Sequence, residues 1–310
     1  MSEYHRPVLV KETLALLAPR EGGVFVDATL GGGGHAEELL KKIGPTGTLI
    51  GIDRDPEALQ YAGKRLLAME GRLLLFEGNF ADLASILQRS GVSKADGVIF
   101  DFGVSSHQLD SPRGFSFQRD EPLDMRMGRS ELSAADIVNG YSEADLTRVI
   151  KDYGEERYAR RIAKAIVRQR QEKQISTTRQ LADLVVSAIP GGGRWQDIHP
   201  ATRTFQGIRI EVNDELAAIR KAIPEAVDAL KSGGVVAAIS FHSLEDRLVK
   251  TIFRKLSGVC DCDRRLPACV CGARKRVEIL TRKPVSATDE EIAENPRSRS
   301  AKLRAVRKLD

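Results

Sequence analysis

The chain has no uninterrupted apolar run of roughly 18 residues or more, so no segment of it reads as a transmembrane helix. Its N-terminal stretch, MSEYHRPVLVKETLALLAPR, carries acids and no unbroken apolar core. That excludes a signal peptide and sets the expectation of a cytoplasmic protein with no membrane partner. Cysteines are few: four, all between positions 260 and 271. In a cytosolic chain they are not expected to form disulfides. No G-x-S-x-G occurs, and Ser240-Phe241-His242-Ser243 sets its candidate groups too close along one chain for a serine hydrolase. Asp and His show no helix-paired spacing that would predict a catalytic metal. Internal repeats and low-complexity tracts are absent. What remains is globular in composition: 310 residues, 42% hydrophobic, net charge +5. That length suffices for one large domain, or a core with an insertion. The charge permits nucleic-acid binding and does not require it.

The chain is organised around VFVDATLGGGGHAEELLKKIGPTGTLIGID, positions 24–53. An apolar, β-branched run, Val24-Phe25-Val26, predicts a buried strand. Gly31 to Gly34 follow, then His35 and a helical pattern that Gly44-Pro45 stops. Thr48 to Ile52 predicts a second strand, and it ends on Asp53. Glycines let backbone N–H groups approach a ligand, and the helix N-terminus adds positive potential. An acid at the second strand tip, about 20 residues on, can accept both hydroxyls of a ribose. The pattern points to an adenosine-containing ligand; a turn without a ligand is the plain alternative. Asp27 sits four residues ahead of Gly31. It would repel a pyrophosphate and suits an ammonium and a sulfonium, so the stretch favours S-adenosylmethionine over a dinucleotide.

Further along, residues 7–18 predict an amphipathic helix, and a helix opened by Asp55-Pro56 runs to about 69. Strands are predicted at 72–77 and 95–101, with a helix at 82–90 between them. This alternation predicts a doubly wound parallel sheet, whose ligands bind outside the carboxyl ends of the strands. Asp27, Asp53, Phe80 and Asp101 all fall at such ends. Residues 105–130 show no periodic element, and so long a loop is usually functional or disordered. Residues 133–190 read as purely helical, with Ser133 and Ser142 as N-caps and Thr177-x-x-Gln180 as a capping box. A helix at 155–171 would place Arg157, Arg161, Lys164 and Arg168 on one face, either a solvated stripe or a surface for RNA. The stretch 194–216 reads as polar, with a helix from about Asp214. A fifth strand follows at 235–240, and two more at 274–283 and 301–309. The predicted organisation is a sheet domain in two parts, 1–111 and 196–310, interrupted by a helical substrate-recognition insertion at 112–195.

The segments DATLGGGGHAEELL, LDSPRGFSF, PLDMRM, HPATRTFQGIRIEVNDEL, SFHSLEDRLVK and ENPRSRSAKLRA resemble the bacterial 16S ribosomal RNA (cytosine-N4)-methyltransferase family. The likeness runs from His5 to Arg304, nearly the whole chain. It implies an α/β fold: a Rossmann-like S-adenosylmethionine methyltransferase sheet of seven strands with an inserted all-helical domain. It implies methylation of the exocyclic amine of a P-site cytosine in 16S rRNA of the small ribosomal subunit. Positions matching the family's cofactor contacts are Gly33, Gly34, His35, Asp53, Phe80, Asp101 and Gln108, and each holds the expected type. The departure is Glu121, where a glycine would be usual before Pro-Leu-Asp-Met-Arg-Met.

A cytosine amine is a poor nucleophile, because its lone pair conjugates with the ring. Transfer needs positioning, which can supply about 7–11 kcal/mol of the barrier, and a hydrogen-bond acceptor on the amine. The base must also be unpaired or flipped out. Asp101 is the candidate acceptor, with pure cofactor binding as its alternative. Phe102 is the candidate stacking face for the base. Phe80 packs either on adenine or in the core. His35 either reaches the methionine carboxylate or shapes the turn. His107, His199 and His242 lie in polar segments; His199 and His242 are either substrate-cleft residues or satisfied structural histidines, and Arg203 is a candidate for the same cleft. Cys260, Cys262, Cys269 and Cys271 either hold structural zinc or remain thiols.

Overall fold

Residues 7–105, 108–109, 111–191, 199–260, 262 and 273–310 are described by a computed structural model of the chain. Two compact units are present, residues 1–103 with 216–310, and residues 104–215.

The first unit opens with α1 (Val10–Leu17), β1 (Val24–Asp27), α2 (Gly34–Ile43), β2 (Thr48–Asp53), α3 (Pro56–Leu66), β3 (Arg72–Glu77), α4 (Leu83–Ser90) and β4 (Ala95–Asp101). The second unit contains α5 (Ala134–Gly140), α6 (Glu143–Arg148), a single π-helical turn (Val149–Tyr153), α7 (Ala159–Glu172), α8 (Thr178–Ala188) and α9 (Ala201–Asn213). The chain then returns through α10 (Glu215–Ala229), β5 (Leu230–Ser240), α11 (Ser243–Leu256), β6 (Val277–Ile279), α12 (Asp289–Glu294) and β7 (Lys302–Lys308). Among the described residues no helix is long and apolar enough to cross a membrane.

The sheet has seven strands in the order β3-β2-β1-β4-β5-β7-β6. Strands β1 to β5 pair in parallel, while β7 runs antiparallel to both β5 and β6. The parallel, doubly wound expectation holds for β1 to β5, and β7 is the strand that runs against its neighbours. Alternation with period two sends Val26, Ile50, Val98, Phe100 and Val236 into one core, with residues of α4, α10 and α11. Phe25, Leu49, Ile99, Val235 and Ile239 enter a second core with residues of α1, α2 and α3. Each such buried side chain contributes roughly 1.5–3 kcal/mol of hydrophobic stabilisation. Helices on both faces make the sheet doubly wound. They also force every parallel strand to end at the same edge, so Asp27, Asp53 and Asp101 close the neighbouring strands β1, β2 and β4 there.

The second unit has its own core, built on Leu123, Ile137, Leu146, Ile162, Phe205 and Ile208. Ser133, Ser142 and Thr177 cap α5, α6 and α8 as their sequence positions predict. Two readings need correction. The helix expected over 155–171 begins only at Ala159, because Glu155 turns left-handed at φ +50° after the π turn. The stretch read as polar contains α9, whose buried Ala201, Thr204, Phe205, Ile208 and Val212 recur at helical spacing between charged neighbours. Part of the long loop is ordered by Glu121. Glu121 is buried, its carboxylate accepts the Gly114 N–H at 3.0 Å, and its own N–H donates to Thr178 Oγ1 at 3.1 Å.

Helix α9 lies against the π turn with almost no space between backbones. A Cβ on Gly154 would fall 2.4 Å from the Arg203 carbonyl oxygen, and one on Gly207 2.9 Å from that of Val149. Gln206 Nε2 donates to the Tyr153 carbonyl across the same contact, at 3.0 Å. Both obstructing atoms are backbone, so neither can rotate away. Gly154→Ala should destabilise the protein by about 1–3 kcal/mol through overpacking. Thermal unfolding should show a fall in Tm; an unchanged Tm would mean that α9 does not pack this closely.

Candidate functional site

The residues that close the parallel strands hold one another in place. Asp27 Oδ1 accepts the Thr29 N–H at 3.2 Å, and the Thr29 hydroxyl accepts the Asp101 N–H at 2.6 Å. Asp53 bridges two turns: Oδ2 accepts the Gly31 N–H at 2.8 Å, and Oδ1 the Asp55 N–H at 2.9 Å. Gly31 and Gly33 have φ of +49° and +76°, which side chains rarely tolerate. Gly34 is required for space, since a Cβ there would lie 2.8 Å from the Pro7 ring. His35, buried in the first turn of α2, has Nε2 3.0 Å from the Val8 carbonyl oxygen. Its Nδ1 lies 3.8 Å from Asp101 Oδ2.

Asp101 is the least satisfied member. Its side chain is 21% exposed, yet Oδ1 is fully covered and has no hydrogen-bond partner among the described residues. Burial, then the charges of Asp27 and Glu245, push its carboxyl well above the ordinary range. Burial raises Asp27 to about 7, partly offset by the Thr29 N–H and reinforced by Asp53. Burial likewise raises Asp53 to about 6 against its two backbone donors. The result is a group of carboxyls whose charge is costly until a cation arrives.

Glu245, at the start of α11, was not identified from the sequence. It is fully buried, and Oε2 accepts the Phe241 and His242 N–H groups at 2.8 and 3.3 Å. His242 completes this capping box: Nδ1 accepts the Glu245 N–H at 3.4 Å, and Nε2 is 3.1 Å from Glu245 Oε1. The glutamate three residues after His242 was the available signal. Thr29 carried no signal beyond its place between strand and glycines.

Phe80 is half-buried and touches Phe100 and Phe102 at centroid distances of 5.8 and 5.7 Å. Phe102 itself is 3% exposed and stacked on Phe100 at 5.4 Å. The assignment of Phe102 as a face for the substrate base is corrected: its ring is core, and the strand's alternation turns it there.

The remaining candidates are those of the second unit and, in the first, the cysteines. Gln108 is buried, and its Oε1 accepts the Ser105 N–H at 3.0 Å. Arg161, Lys164 and Arg168 are exposed along α7. Arg157, also exposed, precedes the helix and lies over the Tyr158 ring at 4.6 Å, so it is not part of the helical stripe. His199 Nδ1 accepts the Ala201 N–H at 3.2 Å, its ring lies 4.5 Å from that of Phe117, and burial lowers its proton affinity. Arg203 is exposed and donates to the Glu155 carbonyl at 3.3 Å. Cys260 and Cys262 are near the surface, where Cys260 Sγ accepts the Cys262 N–H at 3.3 Å. Cys269 and Cys271, and with them the zinc expectation, lie outside the described residues, as does His107.

The buried acids have a consequence for stability. Asp27 is raised to about 7 in the folded chain, against an ordinary value of about 3.9. Between those values the folded state holds the extra proton, so this group's contribution falls as pH rises from about 4 to 7. Asp27→Asn removes the ionisation and keeps an oxygen for Thr29. The variant should match wild type below about pH 4 and be the more stable at pH 8, by on the order of 4 kcal/mol, since a tenfold change in proton affinity is about 1.4 kcal/mol and the shift spans about three such steps. Tm against pH checks this, and a constant difference between the two proteins would contradict it.

The profile of the MraW methylase family matches residues 2–309. The chain is similar to the ribosomal RNA small subunit methyltransferase H of Geotalea uraniireducens, 53% identical over 312 residues covering 100% of both chains. It is similar to the protein of the same name from Symbiobacterium thermophilum, 51% identical over 311 residues, covering 100% of this chain and 98% of that one. Among solved structures, an rRNA methylase from Streptococcus thermophilus aligns at 11% identity with a TM-score of 0.43, over 97% of this chain and 94% of that one. The first two likenesses extend over the whole glycine turn and all three aspartate-tipped strands, and the chain belongs to the MraW methylase family.

Proposed function

We propose that this methylase uses S-adenosylmethionine to methylate the exocyclic N4 amine of a P-site cytosine in 16S rRNA of the small ribosomal subunit, as a cytoplasmic enzyme. The observation that carries the chemistry is Asp101: a carboxylate at a strand tip, with Oδ1 covered and no hydrogen-bond partner for it among the described residues. The rRNA substrate is supported by the names of the relatives. The structure's residues fit S-adenosylmethionine. Asp53 presents the acid for a ribose, Gly33 and Gly34 allow close approach of backbone, and Phe80 offers an apolar surface for adenine. Asp27, Asp101 and Glu245 favour a cation over a phosphate. When bound, S-adenosylmethionine supplies an electrophilic methyl group.

Asp101 then has one task. It accepts a hydrogen bond from the amine, drawing its lone pair out of conjugation, and takes the proton that the amine must lose. His35 lies beside it, and Gln108 is carried forward as a further cofactor residue. Arg157, Arg161, Lys164 and Arg168 offer exposed charge to phosphates, which would set position without reading sequence. Arg203 and His199 are carried forward as substrate residues with them; His242 acts through the cap on α11.

Asp101→Asn keeps the shape and removes the base. Turnover should fall roughly 10²–10⁴-fold, and saturating cofactor should not restore it. Mass spectrometry of 16S rRNA from a deletion strain complemented with the variant should show the N4-methyl mark lost from the P-site cytosine. Full rescue by cofactor would assign Asp101 to binding alone, and a mark at another atom would replace the substrate.

A further inference from the structure

Helix α11 carries its charge on one side. Glu245, Val249, Phe253 and Leu256 are buried and recur every three or four residues, so one stripe is sealed onto the sheet. At about 100° per residue, Arg247, Lys250 and Arg254 fall together on the outward side, and all three are exposed. They span about 10 Å of helix, the reach of roughly two or three backbone phosphates. The two carboxylates of the helix do not neutralise them. Glu245 Oε2 accepts the Phe241 and His242 N–H groups. Asp246 accepts from Arg304 at 2.7 and 3.1 Å, with Lys302 at 3.9 Å. Exposed cations elsewhere in this unit are paired: Lys221 with Asp82, Lys231 with Asp96 and Arg307 with Glu278. Among the described residues Lys250 and Arg254 have no such carboxylate.

The stripe begins at the site. Asp101 and Ile239 are in register on β4 and β5, Ser240 ends β5, and α11 starts at Ser243. The charge of Glu245, in the first turn of α11, acts on Asp101. At the other end of the helix the Arg276 N–H donates to the Leu256 carbonyl at 2.8 Å, and Lys275 bridges to Ser257. Exposed Arg274 and Lys275 therefore lie at the last turn.

We propose that the outward face of α11 holds the sugar-phosphate backbone of the substrate RNA beside the methylated nucleotide, with Lys250 and Arg254 as phosphate contacts. This rests on the rRNA substrate proposed above. A base turned out of its stack to reach Asp101 brings its flanking phosphates to the rim of the carboxyl edge. That edge is acidic, and Asp27, Asp53, Asp101 and Glu245 repel phosphate. The backbone must be drawn aside onto cations, and the α11 stripe starts at this rim. Contacts of this kind fix the register of the strand without reading its sequence.

The test measures the affinity of the full-length protein against salt for two probes, purified small ribosomal subunits and protein-free 16S rRNA. For both, Lys250→Gln/Arg254→Gln should lower the slope of log affinity against log salt by about two, one per contact. Charge reversal, Lys250→Glu/Arg254→Glu, should weaken binding further. Lys42→Gln/Lys64→Gln removes the same charge from exposed positions on α2 and α3, which pack on the opposite face of the sheet. That pair should leave the slope unchanged. Tm and S-adenosylmethionine affinity should equal those of wild type throughout, which shows that each variant is folded. A wild-type slope for Lys250→Gln/Arg254→Gln overturns the assignment, and so does an equal loss in the control pair, which would reflect net charge alone. An effect on subunits with none on free rRNA also overturns it, in favour of a ribosomal protein. Wild type that binds neither probe would remove the rRNA reading and this inference together, whereas the other outcomes remove the α11 contact alone.

Discussion

Burying a carboxylate is costly unless something replaces the water it leaves. Three adjacent parallel strands here end in aspartates at one edge of the sheet, and a fourth acid, Glu245, enters from the start of α11. Asp27, Asp53 and Glu245 are each partly compensated by backbone N–H groups, which is why the Asp-Ala-Thr turn and the glycines are shaped as they are. Asp53 ties the glycine turn to the second strand, and Asp27 holds Thr29, which in turn holds Asp101. None of these bonds neutralises charge. The acids remain a site that prefers a cation, and the turn that ligates them leaves glycine backbone beside it.

The fold class was legible because its signals are local and periodic. β-branched runs ending on Asp, a glycine turn and a Pro-opened helix each locate an element without knowledge of its neighbours. Ser133, Ser142 and Thr177 announced their caps in the same way. What was not legible depends on contacts distant in sequence. Helix α9 reads as polar because Arg203, Gln206 and Arg209 separate its buried positions, and only its packing on a π turn explains Gly207. The direction of β7 is set by its partner strands, since alternation is the same for parallel and antiparallel neighbours.

The candidate site divides along the same line. Asp53, Asp101 and the glycines could be placed from strand tips alone. Phe102 was misread because one residue past a strand tip the side chain can turn either to solvent or to core, and here it turns to Phe100. His242 was recognised as polar and placed, but its partner Glu245 was not, so its capping role was missed. Arg157 was assigned to a helix face that begins two residues later, because a left-handed Glu155 is invisible to a periodicity count.

The account stands on a single claim, that the strand-tip acids form a cation site whose protonation is exchanged for the ligand's charge. Calorimetry in buffers of different ionisation enthalpy counts the protons released or taken up on binding. Between pH 6 and 8, S-adenosylmethionine should release more protons than S-adenosylhomocysteine, so preference for the sulfonium should grow as pH rises. Equal proton counts for the two ligands, with an affinity ratio independent of pH, would show that the acids do not meet the ligand's charge.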